Sequence, residues 1–350
     1  MTESAPTNKA QVKLRSIDKQ LQDLLEQRIE VSKQLAESYR ADFEAQTLLK
    51  VNQRFSVLYA ESVTAVFRDI NAICRQGAQP LSVVVLGPEG TYTEAAARKH
   101  FGRNIKINCA ISIEDIFSSV ESGDVAYGVT PVENSTEGAI SNSLDQLQST
   151  KLTICGEIFL PIRHCLLAIH SDKLLIRKVV AHSQSLAQCR RWLTANMPTI
   201  ETEAVASNAE AAKMAADNPT LAAIAGENVA EIYELQILQS AIQDVAENTT
   251  RFLVLGSHSV APSGKDKTSI LLSTQNKPGA LYDLLKPLAK YNISMTKIES
   301  RPSRAGLWEY LFYVDLEGHI EEENMADALD ALRLNAALFK WLGSYPAAIS

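Results

Sequence analysis

The first 76 residues contain no glycine and only one proline, Pro6. Turns and loops draw on both residue types, so a stretch this poor in them reads as helix. Other absences narrow the class of the protein. No apolar run approaches the length of a membrane span, and the polar N-terminus lacks a signal-peptide core. A net charge of −7 argues against nucleic acid as the partner. The five cysteines (Cys74, Cys109, Cys155, Cys165, Cys189) are odd in number, scattered and never spaced C-x-x-C. That pattern excludes a disulfide framework and predicts buried, reduced thiols in a cytoplasmic protein. The six histidines show no helical metal-ligand spacing, so no metal is expected. Neither G-x-G-x-x-G nor a Gly-Lys-Ser/Thr phosphate loop occurs, and no cofactor is expected. At 350 residues the chain has room for two or three domains, each with a core.

Within the glycine-free arm, residues 1–79, Leu14, Ile17, Leu21, Leu24, Val31 and Leu35 recur at spacings of mostly three and four, which predicts a long packed helical seam. Arg28 falls on that seam, where a buried guanidinium needs an acidic partner or an anionic ligand. Further helices are expected over 44–59 and 61–76. Ile17-Asp18, Leu24-Leu25, Arg28 and Phe67-Arg68-Asp69-Ile70 resemble the intertwined, all-helical chorismate mutase domain. That family holds a dicarboxylate among cationic and amide side chains. Here the family's first-helix arginine falls on Gln11, its lysine on Tyr39, its Arg-Glu pair on Phe43-Glu44 and its third-helix glutamine on Ala78. Only Arg28 and Glu44 match; Arg15 and Arg40 lie near enough in sequence to stand in. Because stabilisation in such a site is electrostatic, the resemblance implies an arm kept for dimerisation that has lost its chemistry.

The middle, residues 81–258, alternates strand and helix. Val83 to Leu86 runs into Gly87-Pro88-Glu89-Gly90-Thr91-Tyr92-Thr93 and then Glu94 to Ala97, which reads as strand, tight loop and helix. Thr91 and Thr93 sit where an N-cap belongs, and such a helix start favours a small anion such as a carboxylate. Ser112 to Asp115 is a capping-box pattern. A strand over 125–132 feeds the polar knot Glu133-Asn134-Ser135-Thr136-Glu137-Gly138, expected as a strand end meeting a helix start. Strands at 155–160 and 164–169 cross into a second lobe. There 179–181, 202–206 and 221–225 each deliver small polar residues to a helix start, among them His182-Ser183-Gln184 and the capping box Ser207 to Glu210. Asn248-Thr249-Thr250-Arg251 precedes a returning strand over 252–255. The alternation predicts parallel sheets, with ligands at the carboxyl ends of strands. The expected fold is therefore multidomain: a helical arm, a bilobal α/β (periplasmic-binding-protein-like) middle with a polar cleft, and a further α+β domain.

The strings Gly87 to Thr93, Pro131-Val132-Glu133-Asn134-Ser135, His182-Ser183-Gln184 with Gln188-Cys189, and Thr249-Thr250-Arg251-Phe252 occur in family order and resemble the prephenate dehydratase domain. The resemblance implies a lyase that removes carbon dioxide and the ring hydroxyl from prephenate to give phenylpyruvate in phenylalanine biosynthesis. It implies Thr250 as the essential residue, a donor to the leaving hydroxyl. A threonine hydroxyl is a weak acid, and Glu133 and His182 are the ionisable candidates to re-supply its proton. Thr91, Thr93, Asn134, Ser135, Thr136, Gln184, Ser207 and Arg251 are assigned to substrate binding, with Arg251 the cation best placed to pair with a carboxylate or, alternatively, to brace the strand.

After a polar linker, Val260 to Lys267, the order βαββαβ is expected over 268–346. With Asn276 to Leu281 and Glu299-Ser300-Arg301-Pro302, this tail resembles the ACT regulatory domain. The resemblance implies that Asn276, Gly279, Ala280, Leu281, Glu299, Ser300, Arg301 and Pro302 bind L-phenylalanine across a dimer interface and inhibit the enzyme, in a homodimer or homotetramer. The rival readings are a fully bifunctional enzyme and a non-catalytic sensor of small acids, which would not need the Thr250 hydroxyl.

Overall fold

The computed structural model of the chain describes residues 5–34, 37–75, 81–274, 277–302 and 310–348. The chain divides into two compact units, Met1–Leu81 with Phe101–Lys106, and Ser82–His100 with Ile107–Ser350.

The first unit is helical, with α1 (Ala5–Ser32), α2 (Glu37–Arg54) and α3 (Val57–Arg75). The break between the last two falls earlier than expected, because Ser56 precedes α3 and its carbonyl accepts the Tyr59 and Ala60 N–H groups. The predicted seam is apolar but unpacked: Leu14, Ile17, Leu21, Leu24 and Val31 remain 41–61% exposed. Arg28 is half-buried, and its partners are not acidic. It donates to Asn71 Oδ1 and to Cys74 Sγ at 2.9 Å. Glu44 pairs with Arg75 at 3.5 Å. Gln11 and Arg15 are exposed on α1, whereas the side chains of Tyr39 and Arg40, and residue Ala78, lie outside the described residues.

The second unit opens with a lobe of β1 (Ser82–Leu86), α4 (Tyr92–Phe101), β2 (Lys106–Ala110), α5 (Ile113–Glu121), β3 (Tyr127–Asn134), β4 (Gly138–Ala139), α6 (Ser141–Ser149) and β5 (Thr153–Pro161). A second lobe follows: β6 (Cys165–Ala168), β7 (Lys178–His182), α7 (Ser183–Gln188), α8 (Arg190–Asn196), β8 (Glu201–Val205), α9 (Asn208–Asp217), β9 (Leu221–Ala225), α10 (Glu227–Ile232) and β10 (Gln236–Gln239). Strand β11 (Thr249–Gly256) then returns to the first lobe. The capping box at Ser112 is present. Ser207 caps α9, but the Glu210 carboxylate accepts from Ala206 N, so the reciprocal half of that box is displaced by one residue.

The sheets are mixed, not parallel. They run β2-β1-β3-β11-β5 and β10-β6-β9-β7-β8. β1 and β3 are parallel, as are β7 and its two neighbours, but β11 lies antiparallel to both β3 and β5. Its chain enters from the other lobe, so no crossover helix forces a parallel return. The polar knot also differs from expectation. β3 continues through Asn134 and folds back onto β4, pairing Asn134 with Gly138, whose φ of +83° suits a tight return. The helix begins only at Ser141.

The tail has the expected order: β12 (Asp266–Ser273), α11 (Ala280–Lys290), β13 (Met295–Pro302), β14 (Tyr310–Glu317), α12 (Glu323–Asn335) and β15 (Leu338–Pro346), in a sheet ordered β13-β14-β12-β15. Both faces of this sheet are buried, which explains the unbroken apolar run Ile270-Leu271-Leu272. Ile270, Leu272, Phe312 and Val314 pack under α11 and α12. Leu271, Leu311, Tyr313 and Tyr345 share one core with Val132, Leu144, Ile154 and Leu253 of the first lobe. Strand β15 comes so near β5 that a Cβ on Gly343 would lie 2.3 Å from the Ile154 carbonyl oxygen. The segment expected as a linker is structured too: the Asp266 carboxylate is buried and accepts from Ser263 and Gly264 N–H groups at 2.9 Å. All five cysteines are free, but Cys109 is exposed, contrary to expectation. Among the described residues no helix is long and apolar enough to cross a membrane.

Candidate active site

Strand pairing sorts the candidate residues. β3 and β11 place Thr250 opposite Asn134, and Arg251 opposite Glu133. Successive strand residues point to opposite faces of a sheet, so Asn134 and Thr250 share one face while Glu133 and Arg251 share the other.

On the first face Asn134 Nδ2 donates to Thr250 Oγ1 and to Asn248 Oδ1, both at 2.8 Å. Its Oδ1 accepts from the Thr136 backbone N–H at 2.9 Å and from the Thr136 hydroxyl. Asn248 Nδ2 donates to Gln188 Oε1 at 3.1 Å, and Gln188 Nε2 donates to Glu137 Oε1 at the same distance. Gln188 Oε1 also lies 2.9 Å from His164 Nε2, while His164 Nδ1 lies 2.9 Å from the Tyr92 hydroxyl. Asn134, Thr250, Asn248 and His164 are all buried. The connected groups span both lobes, and none of their side chains in the run from Thr250 to Gln188 is ionisable.

Around this network the loops close on one another. Asn228 donates to the Gly90 carbonyl at 3.2 Å and Tyr233 to the Glu89 carbonyl at 3.3 Å, so the first loop of one lobe meets α10 of the other. Thr91 caps α4: its hydroxyl donates to Leu86 O and accepts from Glu94 N. Thr93 is buried in the first turn of α4. The Ser135 hydroxyl accepts from Thr249 N at 2.9 Å, which ties the end of β3 to β11. At the helix starts of the second lobe, Asn208 Oδ1 accepts from His182 N at 2.9 Å and Asn208 Nδ2 donates to Ser185 Oγ at 2.8 Å. His182 caps α7, its Nδ1 accepting from Gln184 N. Gln184 and Gln188 are four residues apart on α7 and share a face.

Two expected site residues lie elsewhere. Arg251 is buried on the opposite face, donating to Glu157 at 2.9 Å, to Asp315 of β14 at 2.5 Å and to Tyr345 of β15 at 3.1 Å. Burial disfavours its charge, but the Tyr345 hydroxyl, Asp315 and Glu157 outweigh that, and the guanidinium is more basic than usual. These contacts brace the strand, the alternative role given for Arg251 above. Glu133 pairs with Lys297 of β13 at 2.6 Å and faces the tail, so it is not poised to re-supply the Thr250 proton. Sequence reasoning also missed His164 and Asn248 as parts of the network, and Asn208 as the residue that joins the starts of α7 and α9. Among the described residues no group of three or more His, Cys, Asp or Glu could hold a metal ion.

In the tail, Gly279 adopts φ +79° and caps α11, with Ala280 and Leu281 on the first turn. Glu299, Ser300, Arg301 and Pro302 lie on the edge strand β13, where Arg301 pairs with Asp145 at 3.3 Å. Asn276 lies outside the described residues. A groove of 780 Å³ between α11 and the end of α12 is lined by Ala280 and three lysines, Lys277, Lys286 and Lys290, but by none of the β13 residues.

Fold and site together define a class: two-lobed α/β proteins with a polar junction between the lobes and a C-terminal βαββαβ domain. Residues 83–260 match the prephenate dehydratase family model and residues 268–334 the ACT domain model. The bifunctional chorismate mutase/prephenate dehydratase of Pseudomonas aeruginosa is 42% identical over 97% of this chain and 97% of its own length. The solved structure of a prephenate dehydratase from Arthrobacter aurescens in complex with L-Phe has a TM-score of 0.70 at 29% identity, covering 77% of this chain and 93% of that one. A chain described as a novel type of quorum quenching acylase, GqqA, has the same TM-score and identity over 76% of this chain and 98% of its own. The chain belongs to the bifunctional chorismate mutase/prephenate dehydratase family.

Proposed function

We propose that residues 81–258 convert prephenate to phenylpyruvate, carbon dioxide and water, that residues 268–346 make the reaction sensitive to L-phenylalanine, and that residues 1–79 serve dimerisation without mutase chemistry. The observation that carries the first part is the spending of the Asn134 protons. Nδ2 gives both, to Asn248 and to Thr250. Thr250 therefore accepts from Asn134, and its own proton has no acceptor among the described residues. It is left to donate to the departing ring hydroxyl.

The bond from the ring to its carboxylate breaks, its electron pair enters the ring, and the carbon–oxygen bond breaks as the ring becomes aromatic. The leaving oxygen departs at the hydroxide level, its growing charge stabilised by the Thr250 hydrogen bond, a role that preorganised donors fill without giving up the proton, and it takes one proton from solvent to become the product water. With Arg251 and Glu133 turned away and the Thr136 hydroxyl spent on Asn134 Oδ1, substrate carboxylates are received by neutral donors: Thr93, Gln184, Ser207 and the N–H groups at the starts of α4 and α9. A biosynthetic role of this kind supports a cytoplasmic location.

Two further observations support the regulatory and oligomeric parts. The exposed seam of α1 is an apolar stripe of the kind a second copy covers. The edge strand β13 exposes Met295 and Ile298, each 39% accessible, beside the expected phenylalanine-binding residues. A homodimer, or a homotetramer built from it, accommodates both.

The test supplies the full chain with prephenate or with chorismate and follows phenylpyruvate. Product is expected from prephenate only, and Thr250→Ala should abolish turnover while prephenate still binds. Product from chorismate would return mutase activity to the arm. Turnover retained by Thr250→Ala would overturn the assignment of Thr250.

A further inference from the structure

His164 is an imidazole without a task in the reaction as described. It stands where the chain crosses between lobes, 1% exposed, and its ring nitrogens reach opposite sides. Nδ1 faces the Tyr92 hydroxyl on α4 of the first lobe, and Nε2 faces Gln188 Oε1 at the end of α7 in the second. Its backbone N–H donates to Gln243 Oε1 at 3.0 Å, which leaves the ring little freedom to withdraw.

On the Gln188 side of the ring, donors and acceptors sort in only one way. Asn134 uses both Nδ2 protons, so Asn248 presents its oxygen to Asn134 and its NH2 to Gln188. Gln188 must then present Oε1 to both Asn248 and His164, and His164 must carry its proton on Nε2. Nδ1 faces the Tyr92 hydroxyl, which also lies 3.0 Å from the Arg163 carbonyl; in the neutral ring Nδ1 accepts the Tyr92 proton. Burial lowers the His164 pKa and favours that form. Carboxamides do not pass protons along, so the chain is no proton wire. It fixes direction. If Gln188 turned over, its NH2 would meet the Asn248 NH2, Asn248 would turn in response, and its NH2 would then meet Asn134 Nδ2. Asn134 could relieve that clash only by turning its oxygen inward and giving up the Thr136 N–H bond, which would draw the Thr250 proton away from the cleft.

We propose that His164 is a positioning residue for the dehydration, holding Gln188 in the orientation that, through Asn248 and Asn134, leaves the Thr250 hydroxyl proton free for the substrate. This rests on Thr250 being the donor to the leaving hydroxyl. Glu137 grips the other end of the Gln188 carboxamide, so loss of the imidazole should loosen the orientation without abolishing it.

The experiment compares steady-state kinetics of the full chain and of His164→Ala, His164→Gln and Thr250→Ala on prephenate. Misplacing a reacting group by about 1 Å costs up to roughly 100-fold, so His164→Ala should lower kcat about 10- to 100-fold with KM within about threefold. His164→Gln, whose NH2 can still donate to Gln188 Oε1, should recover kcat to within about fivefold of the parent. An unchanged kcat in His164→Ala, a rise in KM alone, or equal losses in both variants would overturn the proposal. Should His164→Ala fail to fold, Gln188→Met tests the same link: a kcat loss at steady KM is expected, and an unchanged kcat overturns it. Turnover retained by Thr250→Ala would instead remove the reading of Thr250 itself, whatever the His164 variants do.

Discussion

The two faces of the β3–β11 pair are built from neighbouring residues and obey opposite electrostatics. The front carries Asn134 and Thr250 in a network of carboxamides and hydroxyls. Behind them, Glu133 and Arg251 join ion pairs that reach the tail domain. At the centre of the rear face Arg251 and Lys267 balance Glu157 and Asp315, with Ser269 and Tyr345 bonded to the same groups. Buried charge of this kind is tolerable only when paired and hydrogen-bonded, and it then fixes geometry firmly. A neutral network is cheaper to bury but can reverse its direction, because a carboxamide turns over into nearly the same shape. The fold therefore puts rigid ionic pairing behind the strands and leaves direction-sensitive neutral donors in front, where the proposed reaction requires a substrate oxygen to be met by a proton and not by a lone pair.

The sharpest way to break this contrast is Asn134→Asp. The new carboxylate would accept from Thr250 where the carboxamide donated, turning the hydroxyl proton away from the substrate. Loss of one preorganised hydrogen-bond donor is worth roughly 10²–10³-fold, and kcat on prephenate should fall by that order while the melting temperature stays within a few degrees. A fall of less than tenfold would mean that the direction of this bond does not matter. Arg251→Met attacks the rear face instead. Among the described residues Asp315 would keep only Ser269 as a side-chain hydrogen-bond partner, and stranding a buried charge costs about 3–5 kcal/mol. The denaturation midpoint should drop accordingly, with kcat of the folded fraction within about threefold of the parent. A collapse of kcat at normal stability would show that Arg251 reaches the substrate after all.

Much of this was legible in the chain itself, and the failures are specific. Helical and β periodicities located most elements, because apolar spacing follows directly from which face an element buries. The tail order βαββαβ and the lobes could be read in the same way. The split between front and back was also available: Glu133 and Asn134 are adjacent, as are Thr250 and Arg251, and on strands they cannot share a face. Reading those strings as loops hid it, since the polar side chains that end β3 look like a turn. The partners of Glu133 and Arg251 were out of reach. Lys297 and Asp315 lie 164 and 64 residues away from them, and nothing local marks that pairing. His164 was equally silent, a single histidine ahead of an apolar strand, whose role depends on Tyr92 and Gln188 arriving from different lobes.

A smaller effect is expected where the two faces touch through the tail. Lys297 lies on β13 two residues before Glu299, and its partner Glu133 is the neighbour of Asn134. The pair is partly exposed, so removing it with Lys297→Met should cost no more than about 1 kcal/mol, and basal turnover should stay within about twofold. If β13 responds to phenylalanine, this contact is its shortest link to the front face, and its loss should raise the half-inhibitory phenylalanine concentration about fivefold, a coupling of about 1 kcal/mol. An unchanged inhibition curve would route regulation through Arg251 and Asp315 or through the shared core.

The smallest effect separates the faces by pH. Burial lowers the His164 pKa from its ordinary 6.5, so the unfolded chain binds a proton at higher pH than the folded one does. Between the folded value and 6.5 the unfolded state holds more protons, and stability therefore rises with pH across that window and is lost as pH falls through it. Above 6.5 the contribution is fully present. Unfolding free energy measured by denaturant between pH 5 and 7 should show this rising slope, and His164→Gln should flatten it while Lys297→Met leaves it in place. A slope that persists in His164→Gln would assign the titration to another group and would take away the neutral ring on which the front network depends.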